Sequence, residues 1–239
     1  MAGSKDINTS VNPNRVQKYN ETSLHAAIKN WYAQPGDIIE SQVGGYRVDI
    51  VRNSLLIEIQ TKNFSRLKEK LNFLLDKHRV HLVYPIPILK WIKRIDQNTR
   101  RLSPKKGKID HIFQELIYIT QLLNNPNLSL EVLFIHEEEI RQNDGRGSWR
   151  RKGISIVDRK LLAVIDNVTL DFPASFMRLL QGFDRHEFTS KDVAVHRNIS
   201  ENLARKMIYC LLKTDLIRTI GRRGRHNLYA LEPRRMNGN

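Results

Sequence analysis

Between Leu55 and Ile86 the apolar period of this chain changes twice, and that change narrows the folds open to it more than any other feature. Leu55–Lys62 (LLIEIQTK) reads as a strand, Leu67, Leu71, Leu74 and Leu75 recur at helical spacing, and Val80–Ile86 is an apolar run of buried-strand length. A helix that crosses from one strand to its neighbour makes the two strands parallel, in the right-handed sense. Upstream, Leu24, Ala27, Ile28 and Trp31 predict a helix over Glu21–Ala33 capped by Asn20, ended by Pro35-Gly36. Strands are expected at Asp37–Gln42 and Tyr46–Arg52, with turns at Gly44-Gly45 and Asn53-Ser54. The order helix, three-strand meander, helix, strand describes an α/β fold.

Further on, Trp91–Ile95 is expected as an edge strand, Arg100–Lys108 as a basic loop, Ile109–Leu123 as a helix and Leu130–His136 as a strand. Glu137, Glu138 and Glu139 then read as a solvated helix start, and Asn143–Lys152 (NDGRGSWRRK) as a linker. Ile154–Leu170 suggests a hairpin. These readings divide the chain into a flexible tail (1–20), an α/β domain (21–140), a basic linker (141–152), a C-terminal domain (153–232) and a short tail (233–239).

Within the meander, two carboxylates break the apolar pattern. Asp49 in YRVDIV and Glu58 in LLIEIQ sit where a buried strand normally excludes a carboxylate, and such a group needs compensation, for which a divalent cation is well suited. Counting back from the Asn53-Ser54 turn brings Asp49 alongside Glu58. Alternation puts Glu58, Gln60 and Lys62 on one face of their strand. Two carboxylates on adjacent strands suit Mg²⁺, which prefers oxygen ligands and keeps several waters.

Forty Lys and Arg oppose twenty-five Asp and Glu, and residues 141–239 hold twenty of the bases against ten acids. A polyanion is the natural partner of such a surface. The single cysteine, Cys210, makes no internal disulfide, and with the polar N-terminus and the lack of a long apolar run it predicts a cytoplasmic protein that does not span a membrane. The histidines show no metal-ligand spacing, and Trp31, Trp91 and Trp149 form no aromatic stripe suited to base stacking.

The succession of Glu21 on a first helix, Asp49 on a second strand and Glu58-Ile59-Gln60 on a third resembles the PD-(D/E)XK nuclease superfamily over residues 20–90. The resemblance implies a restriction-endonuclease-like mixed sheet flanked by helices. It also implies Mg²⁺ or Mn²⁺ held by Asp49 and Glu58, with Glu21 assisting. Gln60 stands at the usual lysine position, with Lys62 one same-face step further on, and no proline precedes Asp49. The register Gln60-Thr61-Lys62 resembles instead the endonuclease subunit of certain cut-and-paste transposons, and leaves Glu58 without a role.

Near the C-terminus, Thr189 or Ser190 caps a short helix, Asn198 lies in a turn, and Ser200 caps a second helix with Leu203, Met207, Leu211 and Leu212 on one face. A basic hairpin follows. Residues 172–232 thereby resemble the small winged-helix domains that bind double-stranded DNA. The resemblance implies base or phosphate contacts from Asn202, Arg205 and Lys206, and phosphate contacts from Arg222, Arg223 and Arg225 on the wing.

Together these expectations describe a Mg²⁺-dependent DNA endonuclease placed by a winged helix. They are compatible with a homodimer and with a partner protein of a mobile-element or restriction system. A DNA-binding regulator with an inactive nuclease-like domain, and an RNA-processing enzyme, are the competing classes.

Overall fold

The computed structural model describes residues 22–170, 175, 176, 179 and 186–232; the two expected tails and Glu21 lie outside them. Thr22, rather than Asn20, caps helix α1 (Ser23–Tyr32), accepting from the His25 N–H. Strands β1 (Ile38–Val43), β2 (Tyr46–Arg52) and β3 (Leu55–Ile59) form the expected antiparallel meander. Gly44 and Gly45 both adopt positive φ, 56° and 84°, as a tight two-residue hairpin turn requires.

Helix α2 (Lys68–Leu75) crosses to β4 (Arg79–Arg94), and β3 and β4 are parallel, with Glu58 beside Leu82 and Ile59 beside Val83. The sheet runs β1-β2-β3-β4, then β6 (Leu128–Asn143) and β7 (Ile154–Leu170), with β5 (Thr99–Leu102) against the far end of β4. Strand β6 is parallel to β4, and β7 is antiparallel to β6 at the edge. The protein is thus α/β, with a large mixed sheet flanked by helices.

Each face of the sheet is covered for a simple reason: it is apolar. On one side Leu24 and Ile28 of α1 pack on Ile50, Ile57, Ile59, Val83, Leu133 and Ile135. The C-terminal end of α1 is fastened by Tyr32, whose hydroxyl donates to Glu131 Oε2 at 2.7 Å, an oxygen that also lies 2.9 Å from His81 Nε2. On the other side α2 and the short helix α3 (Phe113–Leu116) supply Leu71, Leu74 and Phe113. The segment expected as one long helix over Ile109–Leu123 is instead a chain of short turns around α3.

The same apolar cluster continues into the C-terminal elements. Strand β8 (Glu187–Phe188), helices α4 (Ser190–Arg197) and α5 (Glu201–Lys213), and the hairpin β9 (Ile217–Arg223) and β10 (His226–Leu231) form a helix pair beside a three-stranded sheet ordered β8-β10-β9. Thr189 and Ser200 cap the two helices and Asn198, at φ 50°, makes the turn, as expected. Arg197 donates to both oxygens of the buried Asp110, at 2.8 and 3.1 Å, tying α4 to the turns before α3.

Three expectations are corrected in the outer half of the sheet. Trp91–Ile95 is no separate strand: β4 simply runs on for sixteen residues. The presumed linker is the loop joining β6 to β7, and Ile154–Leu170 is one strand of the large sheet, not a hairpin of the C-terminal unit. Its register against β6 slips three times, which leaves Val157, Leu162 and Ile165 as unpaired bulge residues and erases the two-residue period a strand should show.

Glu137, Glu138 and Glu139 likewise continue β6 instead of starting a helix, because cations from neighbouring strands compensate them. Glu137, fully buried, lies 2.7 Å from Lys90 Nζ and 2.5 Å from Arg159 Nη2, while Glu139 meets Lys90 and Arg141. Glu138 faces the half-exposed Arg100. Removing one partner of a buried pair strands the other charges, so Glu137→Ala should cost about 3 kcal/mol. Glu138→Ala should cost less than about 1 kcal/mol. Urea unfolding of the two variants checks this, and equal shifts would contradict the pairing.

Candidate active site

Capping by Thr22 starts α1 so that His25 lies in its first turn, and Ser23 holds that end down by donating through its N–H and hydroxyl to Asp158 of β7. His25 Nε2 then lies 3.2 Å from Asp49 Oδ2. The β2–β3 register, with Ile50 opposite Ile57, carries Asp49 to the level of Glu58, as the turn count predicted. Asp49 Oδ2 also accepts the Ile59 N–H at 2.8 Å, so the carboxylate closes the end of the β2–β3 ladder.

Glu58 is 6 % exposed. Its Oε1 accepts from Lys70 Nζ, which α2 brings over the sheet and which also donates to the Arg47 carbonyl. Its Oε2 is buried with no hydrogen-bond partner. Such an atom loses its water without replacement, which is unfavourable unless something not present in the bare chain meets it.

The two carboxyls are pulled in opposite directions. Burial, and then the neighbouring Asp49 charge, push Glu58 up to about 7 against the opposing pull of Lys70. Burial also raises Asp49, but the hydrogen bond and charge of His25, the Ile59 N–H and Lys70 outweigh it and hold Asp49 below the ordinary carboxylate range. Nearby, Glu40 is engaged by Lys29 at 2.5 Å and by Arg47, which lower its pKa against a smaller effect of burial.

Strand β3 ends at Ile59, so Gln60 and Lys62 do not continue its face. The Gln60 amide turns back to donate to the Lys62 and Asn63 carbonyls, and Lys62 is exposed beyond the strand. The ammonium at Glu58 belongs instead to Lys70, a residue that sequence spacing did not single out, as it did not single out His25. Both arrive from helices. Glu21 falls outside the described residues.

Among the described residues no three His, Cys, Asp or Glu side chains come close enough to hold a metal ion together. Two carboxylates do suit a hydrated Mg²⁺, which binds through one or two such groups and keeps its remaining waters. The partnerless Glu58 Oε2 beside an ionised Asp49 is the donor set such an ion fits. Cys210 is buried, and that burial pushes its thiol up to about 12.

In the C-terminal elements Asn202 and Arg205 are exposed on the first turns of α5, with Lys206 half-buried beside them. Arg222, Arg223 and Arg225 are exposed around the β9–β10 turn, and Arg223 lies 3.5 Å from Asp192.

Residues 22–171 match a family described as a domain of unknown function (DUF8091). The match ends where β7 ends, which assigns the β6–β7 loop and β7 to the sheet domain. An uncharacterized protein of Treponema pallidum (strain Nichols) is 31 % identical over 223 residues, covering 89 % of this chain and 86 % of that one. No solved structure matches the chain. By the span of the first match and the coverage of the second, the chain belongs to the DUF8091 family.

Proposed function

We propose that this protein is a metal-dependent DNA endonuclease with a restriction-endonuclease-like core. The observation that carries the reading is the buried, partnerless Glu58 Oε2 held beside Asp49 under a lysine. Asp49 and Glu58 bind Mg²⁺ or Mn²⁺. Held there, such an ion would supply polarisation of the scissile phosphate and a water of lowered pKa. His25 and the Ile59 N–H keep Asp49 ionised and fixed in direction. Lys70 holds Glu58 by one oxygen, leaving the other for the ion, and its ammonium stands in for the lysine missing at Gln60, with the role of orienting the attacking water. α4 and α5 with the β9–β10 hairpin act as a winged helix: Asn202, Arg205 and Lys206 approach the groove, and the hairpin arginines contact phosphates.

One observation favours a second reading, a DNA-binding regulator whose nuclease-like domain does not cut. The Gln60 amide is tied to backbone carbonyls and only two carboxylates gather among the described residues. Plasmid DNA incubated with Mg²⁺ or Mn²⁺ separates the two. Cutting by the wild type, lost in Asp49→Ala and Glu58→Ala, reduced about 100-fold in Lys70→Met and unchanged in Lys62→Ala, is the expected pattern. Equal nicking by all would sink the assignment, and tight binding without cutting would favour the regulator.

The state of Glu58 gives a second check. Its pKa of about 7 in the folded protein lies above the ordinary 4.5, so the folded state keeps a proton that the unfolded chain releases. The stability from that proton is present below pH 4.5 and lost as the pH rises to 7, about 3 kcal/mol in the metal-free protein. Glu58→Gln should flatten this slope, and Mn²⁺ should restore stability at pH 7 to 8 in the wild type alone; thermal unfolding across pH measures both.

For the hairpin, replacing Arg222, Arg223 and Arg225 by Ala should weaken duplex binding. It should also lower the slope of log affinity against log salt by about 2.7, and an unchanged slope would refute its contact with phosphates.

A further inference from the structure

Beyond Val83, where β3 ends, β4 and β6 run on together to Arg94 and Arg141, with β5 on one side and β7 on the other. This outer part of the sheet is charged in an uneven way. Residues 93–108 and 141–153 together hold twelve Lys and Arg against two Asp. Inside the layer the charges cancel, as in the Glu137 and Glu139 pairs. On its surface they do not. Among the described residues Arg101, Lys105, Lys106, Arg146, Arg150 and Lys152 are exposed and have no carboxylate within ion-pair distance.

The strand register strings these residues out in order along the outer sheet, as a track. After β5 the chain turns back along β4, with the Ser103 N–H donating to the Lys90 carbonyl and the Gly107 N–H to the Pro87 carbonyl. Lys105 and Lys106 are thereby carried toward the end of β3, and Lys108 donates to the Asn198 carbonyl in the turn between α4 and α5. From Val83 to Arg94 the strand advances eleven residues, roughly 36 Å at strand rise. That is about one turn of a DNA duplex.

At the far end stands Trp149, 83 % exposed, with the Arg150 guanidinium 5.4 Å from its ring centre. The loop that presents it is built. The Gly147 N–H donates to the Gly153 carbonyl, the Arg146 N–H to Asp144 Oδ1, and Ser155 Oγ to Asp144 Oδ2. A Cβ on Gly147 would fall 1.9 Å from the Ile154 carbonyl oxygen, so only glycine lets the loop close there. An indole displayed on a pinned loop among unpaired cations has the composition of a base-stacking platform on a phosphate-binding surface.

We propose that the outer sheet is a second nucleic-acid surface. The phosphate backbone lies along the track from Asp49 and Glu58 toward the β6–β7 loop, and Trp149 stacks on an unpaired base at its end. The inference rests on nucleic acid being the ligand of this protein, and it stands whether or not the protein cuts.

Fluorescence anisotropy with a labelled 24-base-pair blunt duplex, and with the same duplex carrying a single-stranded overhang, tests it over a salt series in EDTA. For a triple variant with Arg146, Arg150 and Lys152 changed to Ala, the salt slope should fall by about 2.7 on both probes. Trp149→Ala should lose about tenfold in affinity for the overhang probe and little for the blunt one. An unchanged slope in the triple variant overturns the track, and an equal effect of Trp149→Ala on both probes overturns the stacking. Loss of binding only when Arg222, Arg223 and Arg225 are replaced overturns the whole surface. Wild-type binding without cutting in a parallel Mg²⁺ assay refutes the nuclease reading and leaves this one intact. The altered side chains are exposed, and unchanged thermal midpoints with a retained slope in an Arg146→Lys, Arg150→Lys variant exclude misfolding as the cause.

Discussion

A carboxylate inside a sheet is tolerable here because the crossover from β3 to β4 swings Lys70 over Glu58. That ion pair depends on the parallel connection, since the rotation of α2 about its axis directs the ammonium at the sheet while Leu71, Leu74 and Leu75 fill the core around it. The compensation is incomplete. One oxygen of Glu58 is met and the other is not, whereas the neighbouring Asp49 is met by an imidazole and a backbone amide. Two acids a strand apart therefore have different characters, one fixed as an anion and one balanced near neutrality.

The outer sheet meets a similar problem with more cations. Glu137 and Glu139 are as buried as Glu58, yet three cations from β4, β6 and β7 surround them. Glu137 Oε1, like Glu58 Oε2, is buried without a hydrogen bond, but it has the Lys90 ammonium 2.7 Å away as an ion-pair contact.

What could be read in the sequence was whatever depends on near neighbours. The meander, the turn at Asn53 and the opposition of Asp49 and Glu58 follow from period two and a short loop, and they stand in the fold. Lys70 could not be read in this way. It sits in RLKEK beside another lysine, and only the packing angle of α2 decides which ammonium reaches the sheet. The run Glu137–Glu139 misled for the opposite reason: glutamate favours helices and avoids strands locally, and pairs made 22 to 49 residues away override that preference. In β7 the three register slips scrambled the alternation that would have marked a strand. The C-terminal caps were legible because a cap is a contact over three residues.

Those slips in β7 have a consequence of their own. A seventeen-residue strand that, among the described residues, is unpaired on one side invites another chain to add itself in register, the first step toward ordered aggregates. Each bulge breaks the even spacing of amides and carbonyls that an incoming strand would have to match, and does so at an apolar side chain that would otherwise favour the encounter. The irregularity that hid this strand in the sequence thus also limits what the edge can recruit.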